Sequence, residues 1–218
     1  MKISILKIED KVKEFYHKFH KKEGSDEIAA PATLQKLLNI IRRESVHSIL
    51  EFGAGIGTIT KFLLDNTSAH VTAYEHNPFC IQKMKENTNN DPRLTLITNP
   101  KEVVSGEYDL VVIDGGDIET IGNVLQGISP KHVVFEGYRW DAQRIVLNSV
   151  KGKRSISYEK LVDPDGGKGG YVMHLGEGRG GYTSARISLF NELRRKRGFY
   201  KLVRSSLKKL IRKHKKGN

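Results

Sequence analysis

The chain has 218 residues, which is long enough for one well-buried α/β core with appendages and does not require a second full domain. Its single cysteine, Cys80, excludes an intramolecular disulfide and any zinc site built from several cysteines. No run approaches the ~18 apolar residues that span a bilayer, and the N-terminus lacks the apolar core of a signal peptide. We therefore expect a cytoplasmic protein that binds at most to the surface of a membrane.

The formal net charge of +12 is concentrated at one end of the chain. Residues 194–218 contain twelve Lys or Arg and no Asp or Glu, so the 25 Lys or Arg that remain balance all 25 Asp or Glu. This distribution argues against a basic active-site groove. It favours a localisation or docking segment at the C-terminus.

Two helices are predicted before the first strand. Apolar residues recur at helical spacing from about residue 5 to residue 22, with lysines between them, and predict an N-terminal amphipathic helix within the segment 1–25. Gly24 interrupts this pattern. A second helix is expected to begin at Pro31 and to carry Leu34, Leu37, Leu38 and Ile41 on one face.

A glycine-rich turn follows the first strong strand signal. The strand runs through Ile49 and Leu50, and the next residues read Glu51-Phe-Gly53-Ala-Gly55-Ile-Gly57 before a helix. Glycine can adopt a positive φ and lets a ligand approach the main chain. A dinucleotide site would space its glycines Gly-x-Gly-x-x-Gly, whereas this chain has Gly-x-Gly-x-Gly. With Glu51 expected to point into the same space, the turn suits a cationic or amino-bearing ligand better than a pyrophosphate.

Strands and helices then alternate, which favours a doubly wound sheet. Further strands are predicted at 71–75, 94–97, 108–113 and 132–135, with helices at 78–87, 119–127 and 140–149. Residues 155–162 and 170–175 read as an antiparallel hairpin that finishes the sheet. The predicted fold is α/β, a doubly wound and mostly parallel seven-stranded sheet with a C-terminal hairpin and with N- and C-terminal helices. Its main domain covers residues 26–182.

Four polar residues stand at the ends of successive predicted strands. These are Glu51, Glu75, Asn99 and Asp114. In open α/β sheets the ligand lies outside the carboxyl ends of the strands, so we expect the four side chains along one edge. Glu75 follows Glu51 by 24 residues, close to the ~20 expected for a carboxylate that accepts hydrogen bonds from ribose hydroxyls.

These motifs resemble those of Rossmann-like S-adenosylmethionine-dependent methyltransferases over roughly residues 26–175. The glycine turn is similar to their motif I. Val71-Thr-Ala-Tyr-Glu75-His-Asn-Pro78 and Tyr108-Asp-Leu-Val-Val-Ile-Asp114 are similar to the catechol and caffeoyl-coenzyme A O-methyltransferase branch. The resemblance implies S-adenosylmethionine as cofactor and O-methylation of a small molecule or of a glycan or lipid-linked acceptor. The cofactor-binding residues implied are Glu51, Gly53, Ala54, Gly55, Glu75, His76, Asn99 and Asp114.

The metal site of that branch is only partly matched. The resemblance gives Asp114 a role in holding a magnesium-type ion, and the second metal position corresponds to Glu136-Gly137, where Gly137 has no side chain to offer. Asp114 and Glu136 are therefore weak metal candidates, and the need for a divalent cation stays open. Asp114, Asp117 and Glu136 are expected to face one pocket with Tyr138 and Arg139. They could hold a cation, supply a general base with Asp114 as first choice, or be solvated loop residues.

The C-terminal segment 183–218 is predicted to be helical and basic. Between residues 199 and 216 the apolar residues fall on one half of a helical wheel and Lys or Arg on most of the other. Such a helix could bind an anionic membrane surface, pack on the protein's own body, or contact RNA phosphates. An RNA methyltransferase and a non-catalytic protein that keeps the fold are therefore the alternative functions, and a nicotinamide-dependent oxidoreductase is the weakest one. The oligomeric state is not indicated by the sequence.

Overall fold

The computed structural model describes residues 2–103, 105–149, 155–164 and 169–176, which form eight strands and six α-helices. The strands are β1 Lys2–Ile5, β2 Ser48–Phe52, β3 His70–Tyr74, β4 Leu94–Ile97, β5 Leu110–Ile113, β6 His132–Glu136, β7 Ser155–Val162 and β8 Gly170–Gly176. The helices are α1 Asp10–His20, α2 Pro31–Arg43, α3 Thr58–Asn66, α4 Pro78–Thr88, α5 Ile118–Gln126 and α6 Trp140–Ser149.

All eight strands belong to one sheet with the order β1-β7-β8-β6-β5-β2-β3-β4. Every neighbouring pair is parallel except those of β8, which runs antiparallel to both β6 and β7. The strand order reverses between β2 and β5, so a crevice is expected at the carboxyl ends of these two strands. The predicted fold class, a mostly parallel α/β sheet with a C-terminal hairpin, is confirmed.

The predicted N-terminal helix begins later than the sequence suggested. Residues 2–5 form β1, which pairs in parallel with β7 at the edge of the sheet and adds an eighth strand to the seven predicted. The helix itself starts at Asp10. Ile5 and Ile8 share helical spacing with later apolar residues, but backbone pairing with β7 decides the conformation of residues 2–5. Tertiary context here overrides a local pattern.

The central strands are buried on both faces, as parallel strands covered by helices should be. All four residues of β5 are fully buried, and the apolar residues of β2 and β6 are buried as well. One large apolar cluster packs residues of α1, α2 and α3 against this sheet. The fold therefore offers polar groups mainly at the strand ends.

The C-terminal segment 183–218, which is predicted to be helical and basic, lies outside the described residues. The domain boundaries near residues 25 and 182 stay predictions. Within the described ranges, no helix combines the length and the apolar character that crossing a membrane requires.

A buried ion pair joins α2 to the hairpin and generates a first prediction. Lys36 Nζ lies 2.8 Å from Glu159 Oε2, and the two side chains are only 10% and 8% exposed. Replacing Lys36 with Met removes the lysine cation from this buried carboxylate, which then keeps only its weaker contacts, among them His174 Nε2 at 3.8 Å, so we expect the free energy of unfolding to fall by about 3 kcal/mol. Arg42→Met is the matched control, because it breaks an exposed pair with Glu9 and should cost less than about 1 kcal/mol. Equal losses in urea denaturation would contradict this account.

Candidate functional site

A cavity of about 540 Å³ opens at the carboxyl ends of β2, β3, β5 and β6, which includes the point where the strand order reverses. Its volume lies within the range of roughly 300–1,000 Å³ that is usual for small-molecule and cofactor sites. The residues that matter for its chemistry are Gly55, Glu75, Asp114, Glu136, Tyr138 and Arg139. The segment 27–29, which the sequence did not assign to a site, also lines it, and no local motif marked that segment in advance.

The three glycines of the turn after β2 serve three different purposes. A Cβ at Gly53 would lie 2.3 Å from the Cα of Gly115, so the turn after β2 packs directly on the backbone that follows β5. A Cβ at Gly57 would lie 2.7 Å from Met84 Cγ, against α4. A Cβ at Gly55 would meet nothing within 4 Å. Gly55 is therefore the position at which the backbone stays open to a ligand.

Glu75 holds the glycine turn in place. Its Oε2 accepts a hydrogen bond from the Gly55 N–H at 2.8 Å, and its Oε1 accepts from the N–H groups of His76 and Asn77 at 2.8 and 2.9 Å. A carboxylate has about four lone-pair positions, so roughly one remains for a ligand. Glu75 thus connects the turn after β2 to the start of α4 and retains one acceptor position beside the open backbone.

Of the other residues predicted near the cofactor, two line the cavity and one does not. Ala54 and His76 line the cavity, with the His76 ring stacked 6.1 Å from that of Tyr74. Asn99 is not among the lining residues. Its side-chain oxygen accepts from the Lys101 N–H and caps a short 3₁₀ helix. The role of Asn99 in cofactor binding stays a prediction.

Glu51 is buried inside the fold rather than exposed to the cavity, so the expectation that it points into the ligand space is wrong. Its side chain has no exposed surface, its Oε2 accepts from Thr60 Oγ1 at 2.7 Å, and its Oε1 has no partner. Burial, aided by the charges of Asp114 and Glu75, raises the pKa of Glu51 to about 8. The position is explained by β2, which continues through Phe52, so that Glu51 belongs to a covered central strand.

Asp114 and Arg139 form an ion pair within the cavity. Arg139 Nη2 donates to Asp114 Oδ1 at 2.9 Å, and Arg139 Nε donates to the Glu136 carbonyl oxygen at 3.1 Å. The Asp114 side chain is 16% exposed and that of Arg139 is 42% exposed. Asp114 therefore stands at the cavity, as expected, but with a cation already beside it.

Glu136 lines the same cavity and is 4% exposed. Its Oε1 accepts from the Ala30 N–H at 3.2 Å, whereas its Oε2 has no hydrogen-bond partner. Burial and then the charge of Asp114 raise the pKa of Glu136 to about 8, against the opposing effects of Thr33, the Ala30 N–H and Arg139. The Thr33 hydroxyl is near enough to favour the ionised form but is not placed for a regular hydrogen bond. At neutral pH this carboxyl is mainly protonated.

Asp117 does not join these groups, and its predicted place in the pocket is wrong. It is the N-cap of α5, where its Oδ1 accepts from the Thr120 N–H at 2.8 Å. Interactions with the side chain of Thr120 and then with its backbone N–H lower the pKa of Asp117 below its usual value. An Asp immediately before a predicted helix is a common cap signal, so the sequence contained the information that places it.

The donor set at Asp114 and Glu136 does not fit a divalent cation. Asp114 is paired with a guanidinium, Glu136 Oε1 accepts from the Ala30 N–H, and Gly137 contributes no side chain. Among the described residues, no group of three or more His, Cys, Asp or Glu side chains is arranged to hold a metal ion. The two weak metal candidates therefore receive no support from the geometry.

Comparison with known proteins supports the fold. No family model matches the chain, and no curated protein matches its sequence. Among solved structures, an O-methyltransferase from Bacillus cereus in complex with SAH (S-adenosylhomocysteine) matches with a TM-score of 0.60 and 14% identity, over 79% of this chain and 93% of the other. The fold is that of the Rossmann-like methyltransferases.

Two further structures show how broad this likeness is. A candidate caffeoyl-CoA O-methyltransferase from Staphylococcus aureus matches with a TM-score of 0.54 and 19% identity, over 78% of this chain and 91% of the other. A candidate RNA methyltransferase from Pyrococcus horikoshii matches with a TM-score of 0.54 and 14% identity, over 77% and 98%. Because proteins with different acceptors match equally well, the fold does not identify the acceptor.

The different surroundings of Gly53 and Gly55 generate a second prediction. Gly53→Ala should lower the free energy of unfolding by about 3 kcal/mol or more, because the new Cβ collides with backbone and the residue has a φ of +74°. Gly55→Ala places its Cβ in open space and should cost only about 1 kcal/mol for its φ of +55°. Urea denaturation of both variants measures the difference. Similar losses would contradict a backbone contact between Gly53 and Gly115.

Burial of Glu51 generates a third prediction, on the pH dependence of stability. Its pKa is higher in the folded chain than in the unfolded one, so the unfolded state releases its proton first as the pH rises and stability falls between about pH 5 and pH 8. Over this pH range, the free energy of unfolding of Glu51→Gln should therefore fall by about 3 kcal/mol less than that of the wild type. The free energy of unfolding is measured across this pH range, with exposed Glu14→Gln as the control. An unchanged slope in Glu51→Gln would contradict the raised pKa.

Proposed function

We propose that the protein is an S-adenosylmethionine-dependent methyltransferase. The observation that carries the proposal is the open backbone at Gly55 beside Glu75, located where the strand order reverses. This is where open α/β sheets bind their ligands. The likeness of the fold to an O-methyltransferase in complex with SAH adds support.

The cavity suits such a cofactor in shape and charge. Gly53, Ala54 and Gly55 would pass close to it, and Glu75 would accept a hydrogen bond from one ribose hydroxyl at its remaining acceptor position. Glu75 lines the cavity beside Gly55, and its acidic side chain favours a ligand that carries a sulfonium and an ammonium group. When bound, the cofactor supplies an activated methyl group, and the protein contributes alignment and exclusion of water.

The acceptor would lie over β5 and β6, next to Asp114 and Tyr138. Tyr138 is 51% exposed, and its ring stacks 5.5 Å from that of Trp140, so it presents an aromatic face at the cavity. Such a face can pack on a planar ring or on the apolar side of a sugar. We propose O-methylation of a small molecule or of a glycan or lipid-linked acceptor, with Asp114 beside the methyl-transfer centre. An anionic membrane surface bound through residues 199–216 remains part of this proposal.

Cofactor binding is tested by isothermal titration with S-adenosylhomocysteine, which is the fourth prediction. The wild-type protein should bind it, and Gly55→Ala should weaken binding about tenfold or more, because a methyl group then fills the space at the open backbone. Gly106→Ala is the matched control, since Gly106 also has a positive φ and open surroundings but lies outside the cavity. Absence of binding to the folded wild-type protein would reject the proposed function.

Transfer itself is followed with a labelled methyl donor and a cell extract. Labelled product in the small-molecule or lipid fraction supports the proposed acceptor classes, whereas label in RNA supports the alternative. Binding of S-adenosylhomocysteine without transfer to any fraction supports the non-catalytic alternative.

A further inference from the structure

The loop after β6 contains a cation that is fixed in the cavity by two hydrogen bonds. Asp114 Oδ1 accepts from Arg139 Nη2, and the Glu136 carbonyl oxygen accepts from Arg139 Nε. A guanidinium has five N–H donors. Among the described residues, no other acceptor for Arg139 is found, so three donors remain for a ligand on a side chain that is 42% exposed.

The backbone at Arg139 is held in a conformation that few residues adopt. Its φ is +29°, and within the described ranges it is one of three non-glycine residues with a positive φ, the other two being asparagines at the end of α4. Asparagine tolerates this region, whereas a long unbranched side chain seldom occupies it. Such strain tends to persist where function requires a particular placement. Here it accompanies a guanidinium placed next to the carboxyl ends of β5 and β6.

Arg139 is also the sole Lys or Arg among the described residues that line this cavity. Arg139 contacts Asp114 and the backbone of Glu136, the two positions to which the resemblance to the catechol branch assigns ligands of a divalent cation. The carboxyl groups there do not fit such an ion, as the pairing of Asp114 and the missing side chain at Gly137 indicate. A fixed positive charge nonetheless stands at that position.

We propose that Arg139 binds a negatively charged oxygen of the methyl acceptor, and that acceptor binding in this protein needs no divalent cation. Asp114 is then a positioning residue that orients the guanidinium. This inference rests on the proposed function, because only a methyltransferase has a methyl acceptor. Binding of an oxyanion at Arg139 can nevertheless be measured without turnover. A planar guanidinium presents paired donors that match a phenolate or a carboxylate.

The chain provides its own reporter for the test. Trp140 is the single tryptophan, and its ring stacks on that of Tyr138 beside Arg139. The probes are two pairs of ligands that differ mainly in charge, 4-nitrophenolate against nitrobenzene and benzoate against benzamide. Quenching of Trp140 fluorescence gives their affinities, with and without S-adenosylhomocysteine and in either EDTA or Mg²⁺.

The wild-type protein should prefer the anion of at least one pair about tenfold or more, equally in EDTA and in Mg²⁺. Arg139→Gln should abolish the preference, and Arg139→Lys should retain part of it because charge remains without the planar donor pair. Arg139→Gly is a second variant, in which the positive φ is no longer strained. A loss of the preference in this variant therefore cannot be attributed to backbone strain that unfolds the loop. Arg144→Gln, which removes an exposed charge on α6, should bind as the wild type does.

Three results would overturn the inference: no anion preference in either pair, a preference that survives in Arg139→Gln and Arg139→Gly, or a preference that needs Mg²⁺. The pair that shows the preference distinguishes a phenolate from a carboxylate. Titration of S-adenosylhomocysteine in the same samples reports on the proposed function separately. Failure of cofactor binding and failure of oxyanion binding are therefore distinguishable.

Discussion

The close approach of Gly53 to Gly115 is the constraint on which the site depends. These glycines follow β2 and β5, the two strands between which the order of the sheet reverses. Because neither residue has a side chain, the two turns contact each other through their backbones. This contact brings the open position Gly55 and the ion pair of Asp114 into one cavity. A larger residue at Gly53 would push the turn after β2, which contains Gly55, away from the turn after β5, which contains Asp114.

Protonation of buried carboxyls allows so many acidic groups to stand close together. Glu51 and Glu136 both have a pKa of about 8, in each case mainly because burial penalises the charged form. Glu75 and Asp114 line the same cavity. One is satisfied by three backbone N–H groups and the other by a guanidinium. One end of the cavity therefore offers a hydrogen-bond acceptor on Glu75. The other end offers N–H donors on Arg139.

The sequence predicted the fold and much of the cavity, because strand ends and glycine turns are local signals. Glu75 and Gly55 met at the cavity, since parallel strands place their carboxyl ends along one edge. Glu51 did not, because its direction depends on whether β2 ends before or after it, and the strand continues to Phe52. The strand at residues 2–5 was missed for a similar reason, since only pairing with the distant β7 distinguishes it from the helix that follows.

Departures from the catechol branch are concentrated on β6 and the loop after it, and they are mutually consistent. Gly137 removes one possible metal ligand, and its φ of +65° suits glycine in the turn that leads to Arg139. Arg139 then reaches back to Asp114, which a cation would otherwise have to neutralise. Each change alone would weaken a metal site. If Arg139 binds the acceptor as we propose, a guanidinium whose position is set by the backbone supplies the positive charge at this end of the cavity.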